Sequence, residues 1–458
     1  MAAGLAWLAR LPGLPLARLP GLPLARLPGF PACRLPGFPA SRLAACRLPG
    51  RQSAGSRLAA ASLCAGCNGE VSKGFAQLYD RNSPVESTER STHRYAMEQD
   101  DIVADWAARI REAAANRQAL RIRGGGTKDW YGQALDGEIL DTRAYQGIVS
   151  YDPAELVVTA RTGTPLCEIE AALGECGQML PFEPPHFGRG ATIGGAIATG
   201  LAGPRRASTG APRDFMLGVT LLDGRGDVLR FGGQVVKNVA GYDVSRLMAG
   251  ALGTLGLMLE VSIKVLPLPA TEVTLKFDMN ATDAVRKLNE WAGRPFPLSA
   301  SAWRYDTLVL RLSGAQAAVK SAKTALGGEA VDAVEAERFW EGVREQSDPF
   351  FASLAPGHAL WRLSLPSITE PLHLPGLQMM EWGGAQRWWI TDADAQTVRM
   401  SAKQAGGHAT LFRSSGSYDR SAGTFTPLPA PLMKIHRGLK AAFDPARVFN
   451  RGRLYSDL

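Results

Sequence analysis

Arg121-Ile122-Arg123-Gly124-Gly125-Gly126-Thr127 carries a short alternation of apolar and polar residues straight into three consecutive glycines. The alternation starts at Ala119 and predicts a strand over 119–123. Three glycines strip the following turn of side chains, so backbone N–H groups can converge on a diphosphate with no Cβ in the way. The turn lacks the Gly-Lys-Ser/Thr ending of a P-loop and the G-x-G-x-x-G spacing of a Rossmann turn, which disfavours ATP and NAD. Taken alone, the run reads equally well as a glycine-rich hairpin.

Two further glycine blocks lie downstream. Gly190-Ala191-Thr192-Ile193-Gly194-Gly195-Ala196-Ile197-Ala198-Thr199-Gly200 is built almost wholly of small residues. A flat ligand or a phosphate can approach such a backbone closely, and a tightly packed buried turn has the same composition. Lys237-Asn238-Val239-Ala240-Gly241-Tyr242-Asp243 comes next, then Leu247 and Gly250-Ala251-Leu252-Gly253-Thr254-Leu255-Gly256.

Around these blocks the pattern is α mixed with β. Ile102, Val103, Trp106, Ile110 and Ala113 recur at helical spacing within 100–116. Short strands are expected at 138–141, 147–151 and 156–161, and a helix at 165–176. Strands at 215–222 and 228–231 flank Asp223-Gly224-Arg225-Gly226, a hairpin signal. A strand at 257–266 ends at Pro267 and Pro269. From 271 the order strand, helix, strand, helix resembles a ferredoxin-like layer of helices on an antiparallel sheet. Trp388 and Trp389 read as core. The expected organisation is a tail over 1–96, a glycine-dense α+β domain over 97–270, a second α+β domain over 271–410, and a C-terminal segment, 411–458, returning to the first domain.

Length and charge narrow the class. With 458 residues, 50 Gly, 30 Pro and 45% hydrophobic residues, the chain is neither coiled coil nor collagen-like nor wholly disordered. It has no run of about 18 apolar residues, so no membrane-spanning helix is expected. Of its 51 basic and 43 acidic residues, 12 and 4 fall within 1–96, leaving 39 of each beyond. The basic balance belongs to the N-terminal segment, and a nucleic-acid partner loses its support. That segment repeats RLPGLPLA, RLPGLPLA, RLPGFPAC, RLPGFPAS from Arg10 to Ser41. Two prolines per repeat forbid helix and central strand, so a disordered tail is expected, with the chain proper starting near Met97. Cys33, Cys46, Cys64 and Cys67 lie in the tail. Only Cys167 and Cys176 remain beyond it, which suits a reducing cytosol and excludes a disulfide scaffold.

Read together, the blocks RGGGT, ATIGG and KNVAGYD…GALGTLG resemble the FAD-binding domain of the vanillyl-alcohol oxidase and p-cresol methylhydroxylase (PCMH-type) family, in its 2-hydroxy-acid dehydrogenase branch. Asp444-Pro445 and Asn450-Arg451-Gly452 resemble the same family's C-terminal motif, with Arg451 where proline is usual. The run from Gly200 through Arg205-Arg206 to Asp243 is similar to the smaller flavin subunits of bacterial glycolate oxidases.

The resemblance implies a fold of two α/β subdomains holding FAD, plus a smaller ferredoxin-like domain. By similarity, Arg123, Gly124, Gly125, Gly126 and Thr127 hold the diphosphate. Thr192, Ile193, Gly194, Gly195, Thr199 and Gly200 contact flavin or diphosphate, and Gly253, Thr254, Leu255 and Gly256 line the isoalloxazine side. Thr127 stands where covalently flavinylated relatives often carry histidine, so the FAD is expected to be non-covalent. The implied activity is oxidation of a small 2-hydroxy acid, glycolate to glyoxylate, beside a larger flavin subunit and an iron–sulfur subunit. Location is expected in the cytoplasm, peripheral at the inner membrane through the complex. His186, in Pro184-Pro185-His186-Phe187, is the candidate base. Arg205 and Arg206 are candidates for meeting a carboxylate or a partner, and His436 reads as structural. The His-x-Gly-Asp-Gly-Asn-x-His block of the larger subunit has no counterpart and no metal site is expected, so a flavin-binding subunit without turnover of its own is the alternative, as is a stand-alone oxidase for another 2-hydroxy acid.

Overall fold

The computed structural model describes residues 85–233 and 243–458, the side chains of 85–98 excepted. The predicted block at 237–242 therefore lies outside the described residues.

Helix α1 (Val85–Asn116) buries Trp106, Ala107, Ile110 and Ala113, one stripe at 3.6-residue spacing. Its end is set at Arg117, whose φ of 56° cannot continue a helix. The stripe packs on Leu120 and Leu140, which belong to the parallel pair β1 (Leu120–Arg123) and β2 (Glu138–Asp141). Val448 and Phe449 from the far end of the chain complete this core, and Leu120 bridges Phe449 in parallel.

A second core lies on a five-stranded antiparallel sheet. Its strands are β3 (Ile148–Asp152), β4 (Val157–Arg161), β5 (Met216–Leu222), β6 (Val228–Gly232) and β7 (Leu257–Lys264), ordered β3-β4-β7-β5-β6. The turn 223–226 closes the β5–β6 hairpin as its sequence predicts. Asp223 Oδ1 accepts the N–H groups of Arg225 and Asp227. Against the sheet lie α2 (Leu166–Glu175) and α3 (Ile193–Thr199), whose Ile169, Leu173, Ile193 and Ile197 are inside. The helix at α3 is not read from the sequence, because glycine and threonine have poor helix propensity. Tertiary packing of its two isoleucines and a cap by Thr192, whose hydroxyl accepts the Gly195 N–H at 3.2 Å, overcome that.

The second domain is one eight-stranded sheet. It contains β8 (Thr271–Asp278), β9 (Leu298–Arg304), β10 (Thr307–Gly314), β11 (Ala359–Ser364), β12 (Leu377–Glu381), β13 (Gln386–Thr391) and β14 (His408–Ser414), with Glu329–Ala330 at one edge. The order from that edge is β8-β10-β9-β12-β13-β11-β14. Two antiparallel halves meet at β9–β12 through two paired positions, Ala302–Glu381 and Trp303–Met380. The sheet runs on to Ser414, beyond the expected limit at 410. Strand β9, Leu-Ser-Ala-Ser-Ala-Trp-Arg, lacks the β-branched alternation that marks a strand and is legible only from its central, buried place.

Helices α4 (Ala281–Ala292), α5 (Gln316–Leu326) and α7 (Ala395–Gln404) cover one face, and α6 (Ala333–Glu345) lies between α5 and α7 in sequence. The opposite face packs Leu360, Met379, Trp388 and Phe412 on Tyr131, Leu201 and Leu252 of the first domain. Successive strand residues point to opposite faces, so Trp388 enters this interface while Trp389 enters the core under α7. Helix α8 (Ala430–Phe443) carries the chain back to the first domain. Among the described residues, no helix is long and apolar enough to cross a membrane.

Candidate functional site

Where β1, the N-terminus of α3, the 252–258 segment and the C-terminal residues 450–453 meet, they leave a cleft of about 780 Å³, measured out to open solvent. Strand β1 sits there because its N–H and C=O groups are taken from outside its own pair. Ile122 N–H donates to Asn450 Oδ1 at 2.8 Å, and Leu120 N–H donates to the Val448 carbonyl at 2.7 Å.

The glycines serve two purposes. A Cβ on Gly125 would overlap the Gly190 carbonyl, and one on Gly124 would stand 2.5 Å from Thr192 Oγ1. Absent side chains thus let the first two glycine blocks close on each other. The same turn leaves donors unused. Among the described residues, nothing in the protein accepts the N–H groups of Gly124, Gly125, Gly126, Thr127 and Lys128. Five unsatisfied donors lining a cleft form a nest suited to an anion.

Of the residues expected to contact the cofactor, Arg123, Gly124, Gly125, Gly126, Thr127, Thr192, Gly194, Gly195, Thr199, Gly253 and Gly256 line the cleft. Ile193, Gly200, Thr254 and Leu255 are not among its lining. Ile193 turns into the core. Gly200 ends α3 with φ 62°. Thr254 bonds its hydroxyl to the Ala251 carbonyl at 2.7 Å, and Leu255 packs at the edge of the core. The sequence reading missed Lys128, Asn450, Arg453 and the apolar wall of Leu135, Ala198, Leu252, Leu257 and Met258. Lys128 directly follows the first block and Asn450 lies within a noted motif, so both carried a signal. Arg453 carried none.

The cleft is electropositive in an uneven way. Arg121 and Arg123 share Asp129 Oδ2 at 2.5 and 2.7 Å. Arg453 spends its guanidinium on carbonyls of Asp129 (2.6 Å), Tyr131 and Gln133, and burial lowers its pKa to about 10. Lys128 is 8% exposed, and desolvation lowers its amine to about 8. A buried pair supports the floor from below. Lys440 Nζ donates to Asp444 Oδ2 at 2.8 Å and to the carbonyls of Thr254 and Phe449. Asp444 also accepts the Val448 and Phe449 N–H groups.

His186 lies outside the cleft lining. Its Nε2 is 3.0 Å from Glu170 Oε2, and Glu345 of α6 accepts its backbone N–H at 3.1 Å. Arg205 meets carboxylates of this same chain, Glu183 at 3.1 Å and Glu272 at 2.8 Å. Arg206 stacks on Trp382, 4.4 Å to the ring centroid. His436 sits edge-on to Tyr455, and burial lowers its pKa.

A glycine-lined nest at a two-subdomain α+β fold, beside an antiparallel second domain, defines an FAD-binding oxidoreductase of the PCMH type. Residues 102–232 match the family model described as FAD binding domain. Solved structures of alkyldihydroxyacetonephosphate synthase share this fold, with a TM-score of 0.54 over 75% of this chain and 74% of that one at 13% identity. Glycolate oxidase subunit GlcE of Escherichia coli is 48% identical over 349 residues, 76% of this chain and 96% of that protein. Glycolate oxidase subunit GlcD of Bacillus subtilis is 34% identical over 30% of this chain and 29% of its own length. The chain belongs to the glycolate oxidase subunit GlcE family.

Proposed function

We propose that this chain is the FAD-binding subunit of a glycolate oxidase, oxidising glycolate to glyoxylate beside a larger, GlcD-like flavin subunit and an iron–sulfur subunit that receives the electrons. The carrying observation is the similarity to the E. coli GlcE subunit, which spans 96% of that protein. Bound FAD would supply a two-electron acceptor for the hydrogen on the hydroxyl-bearing carbon. The chain's part is to hold that cofactor. The N–H run of Gly124–Thr127 and the Thr192-capped α3 would hold the diphosphate, and Leu135, Ala198, Leu252 and Met258 would provide apolar walls for flat rings. On this reading the FAD is dissociable, because Thr127, which lines the cleft directly after the glycine run, stands where covalently flavinylated relatives often carry histidine.

A 2-hydroxy acid also needs a cation for its carboxylate. The face of the second domain turned toward the first offers two. A bulge in β14 sets Leu360 opposite Arg413 and Trp361 opposite Leu411, leaving Phe412 extra. Phe412 and Arg413 thereby both reach the interface, where Arg413 lies 4.2 Å from the Trp130 ring centroid. Arg362 donates to Tyr131 Oη at 3.0 Å. Neither has a carboxylate within ion-pair distance among the described residues. In the complex the chain would sit at the inner membrane through its partners.

The test is the FAD-loaded chain alone under anaerobic glycolate. Bleaching of the flavin absorbance that Arg413→Met slows without loss of flavin supports turnover here. A yellow chain that glycolate leaves unbleached makes it a flavin-binding assembly subunit. A chain that stays colourless with added FAD overturns both.

A further inference from the structure

We propose that Lys128 supplies the counter-charge for the diphosphate of FAD, its ammonium acting on the same anion as the N–H run that precedes it. This rests on the flavoprotein reading above.

The cleft's other cations are already engaged. Arg121 and Arg123 are both paired to the one carboxylate of Asp129, and Arg453 gives its donors to three carbonyls. Lys128 differs. Its Nζ meets only two neutral oxygens, the His186 carbonyl at 3.1 Å and Thr127 Oγ1 at 3.3 Å. An ammonium has three donors, so one is left without a protein partner among the described residues. No carboxylate oxygen of the described residues lies within 4.0 Å of it. A charge stripped of water and left without a counter-ion is costly, and an anion in the cleft removes that cost.

The amine is also held in place. The His186 carbonyl that it grips belongs to a loop clamped by Glu345, which accepts the Phe187 N–H at 2.7 Å. The Phe187 ring lies under Nζ at 5.7 Å. The diphosphate is favoured over the flavin ring because Lys128 continues the donor run without a break, whereas the apolar walls belong to other segments.

The free cleft holds this amine at a pKa of about 8 through burial, against the attraction of Glu345. The other charged or titratable groups around it are Asp129 and Arg123 on its own loop, His186 with Glu170 behind it, Arg344 beside Glu345, and Arg413 across the Phe187 ring. A bound diphosphate raises that pKa, so binding at pH 8 takes up about half a proton.

The experiment is calorimetric titration of the full chain, freed of flavin, with FAD, ADP and riboflavin. At pH 7 Lys128→Met is expected to weaken FAD and ADP by about ten-fold or more and to leave riboflavin unchanged, with Lys128→Arg restoring most of the loss. Wild type titrated with FAD at pH 8 in buffers of different ionisation enthalpy should show the proton uptake, and this needs no variant to fold. Unchanged ADP affinity in Lys128→Met overturns the proposal. Equal loss of riboflavin, or FAD binding by wild type without proton uptake, does so too. Wild type that binds neither FAD nor ADP is a separate result and removes the flavoprotein reading itself.

Discussion

Asn450 and Ile122 are 328 positions apart, yet the Asn450 carboxamide accepts the Ile122 N–H at 2.8 Å and donates to the Leu252 carbonyl at 2.6 Å. One side chain from the C-terminus thus ties the strand before the glycine turn to the opposite wall of the cleft. Asn450→Leu keeps the volume and strands both backbone groups. It is expected to cost about 1–3 kcal/mol in urea unfolding and to weaken FAD by ten-fold or more. Unchanged values for both would mean that the clamp is dispensable.

Gly125→Ala tests the close approach of the two glycine blocks. The new methyl would meet the Gly190 carbonyl, which is main chain and cannot swing aside. A cost of about 1–3 kcal/mol is expected, with flavin affinity falling further than stability. Gly195→Ala is the control for stability alone, since it lines the cleft but its Cβ would stand 3.4 Å from Thr192 Oγ1. Equal tolerance of both substitutions would contradict the geometry.

Glu183 holds the two domains together. Its carboxylate takes Arg205 Nε at 3.1 Å and Arg311 Nη2 at 2.8 Å, and both arginines are buried. Glu183→Gln leaves Arg311 without its nearer counter-charge. Removing one partner of such a network costs about 3–5 kcal/mol. Thermal unfolding and limited proteolysis between the domains would report it, and a wild-type melting curve would refute it.

Glu381 makes stability depend on pH. The group is fully enclosed at the seam of the two half-sheets, and burial raises its carboxyl to about 7. Gln386 Nε2 donates to it at 3.0 Å, as does the Trp388 indole. A raised folded-state value means that the folded chain binds the extra proton. Its contribution is therefore complete below pH 4.5 and is lost as pH climbs through 7, by about 3 kcal/mol in total. Denaturation midpoints at pH 5 and pH 8 should diverge more for wild type than for Glu381→Gln. Parallel behaviour of the two would rule this group out.

Much of the first domain was readable from local pattern. The stripe Trp106, Ile110, Ala113 marks α1, and Asp223-Gly224-Arg225-Gly226 marks the β5–β6 turn, because helix period and turn chemistry are set within a few residues. Eleven of the fifteen residues expected to touch the cofactor do line the cleft, since a glycine run announces close approach wherever it occurs. Strand β9 and helix α3 were not readable. Their small residues have no strong local preference, and their state follows from what packs on them.

Residue order alone specified the glycine blocks and their spacing, since these depend on steric and hydrophobic patterns carried by neighbours along the chain. Folding in three dimensions decided which cations are spent. Arg123 and Arg205, both plausible anion ligands on paper, are satisfied by Asp129 and Glu183, while Lys128 keeps a donor and no counter-ion. Charge compensation depends on distances of a few ångströms between residues remote in sequence, and only the packed molecule sets those.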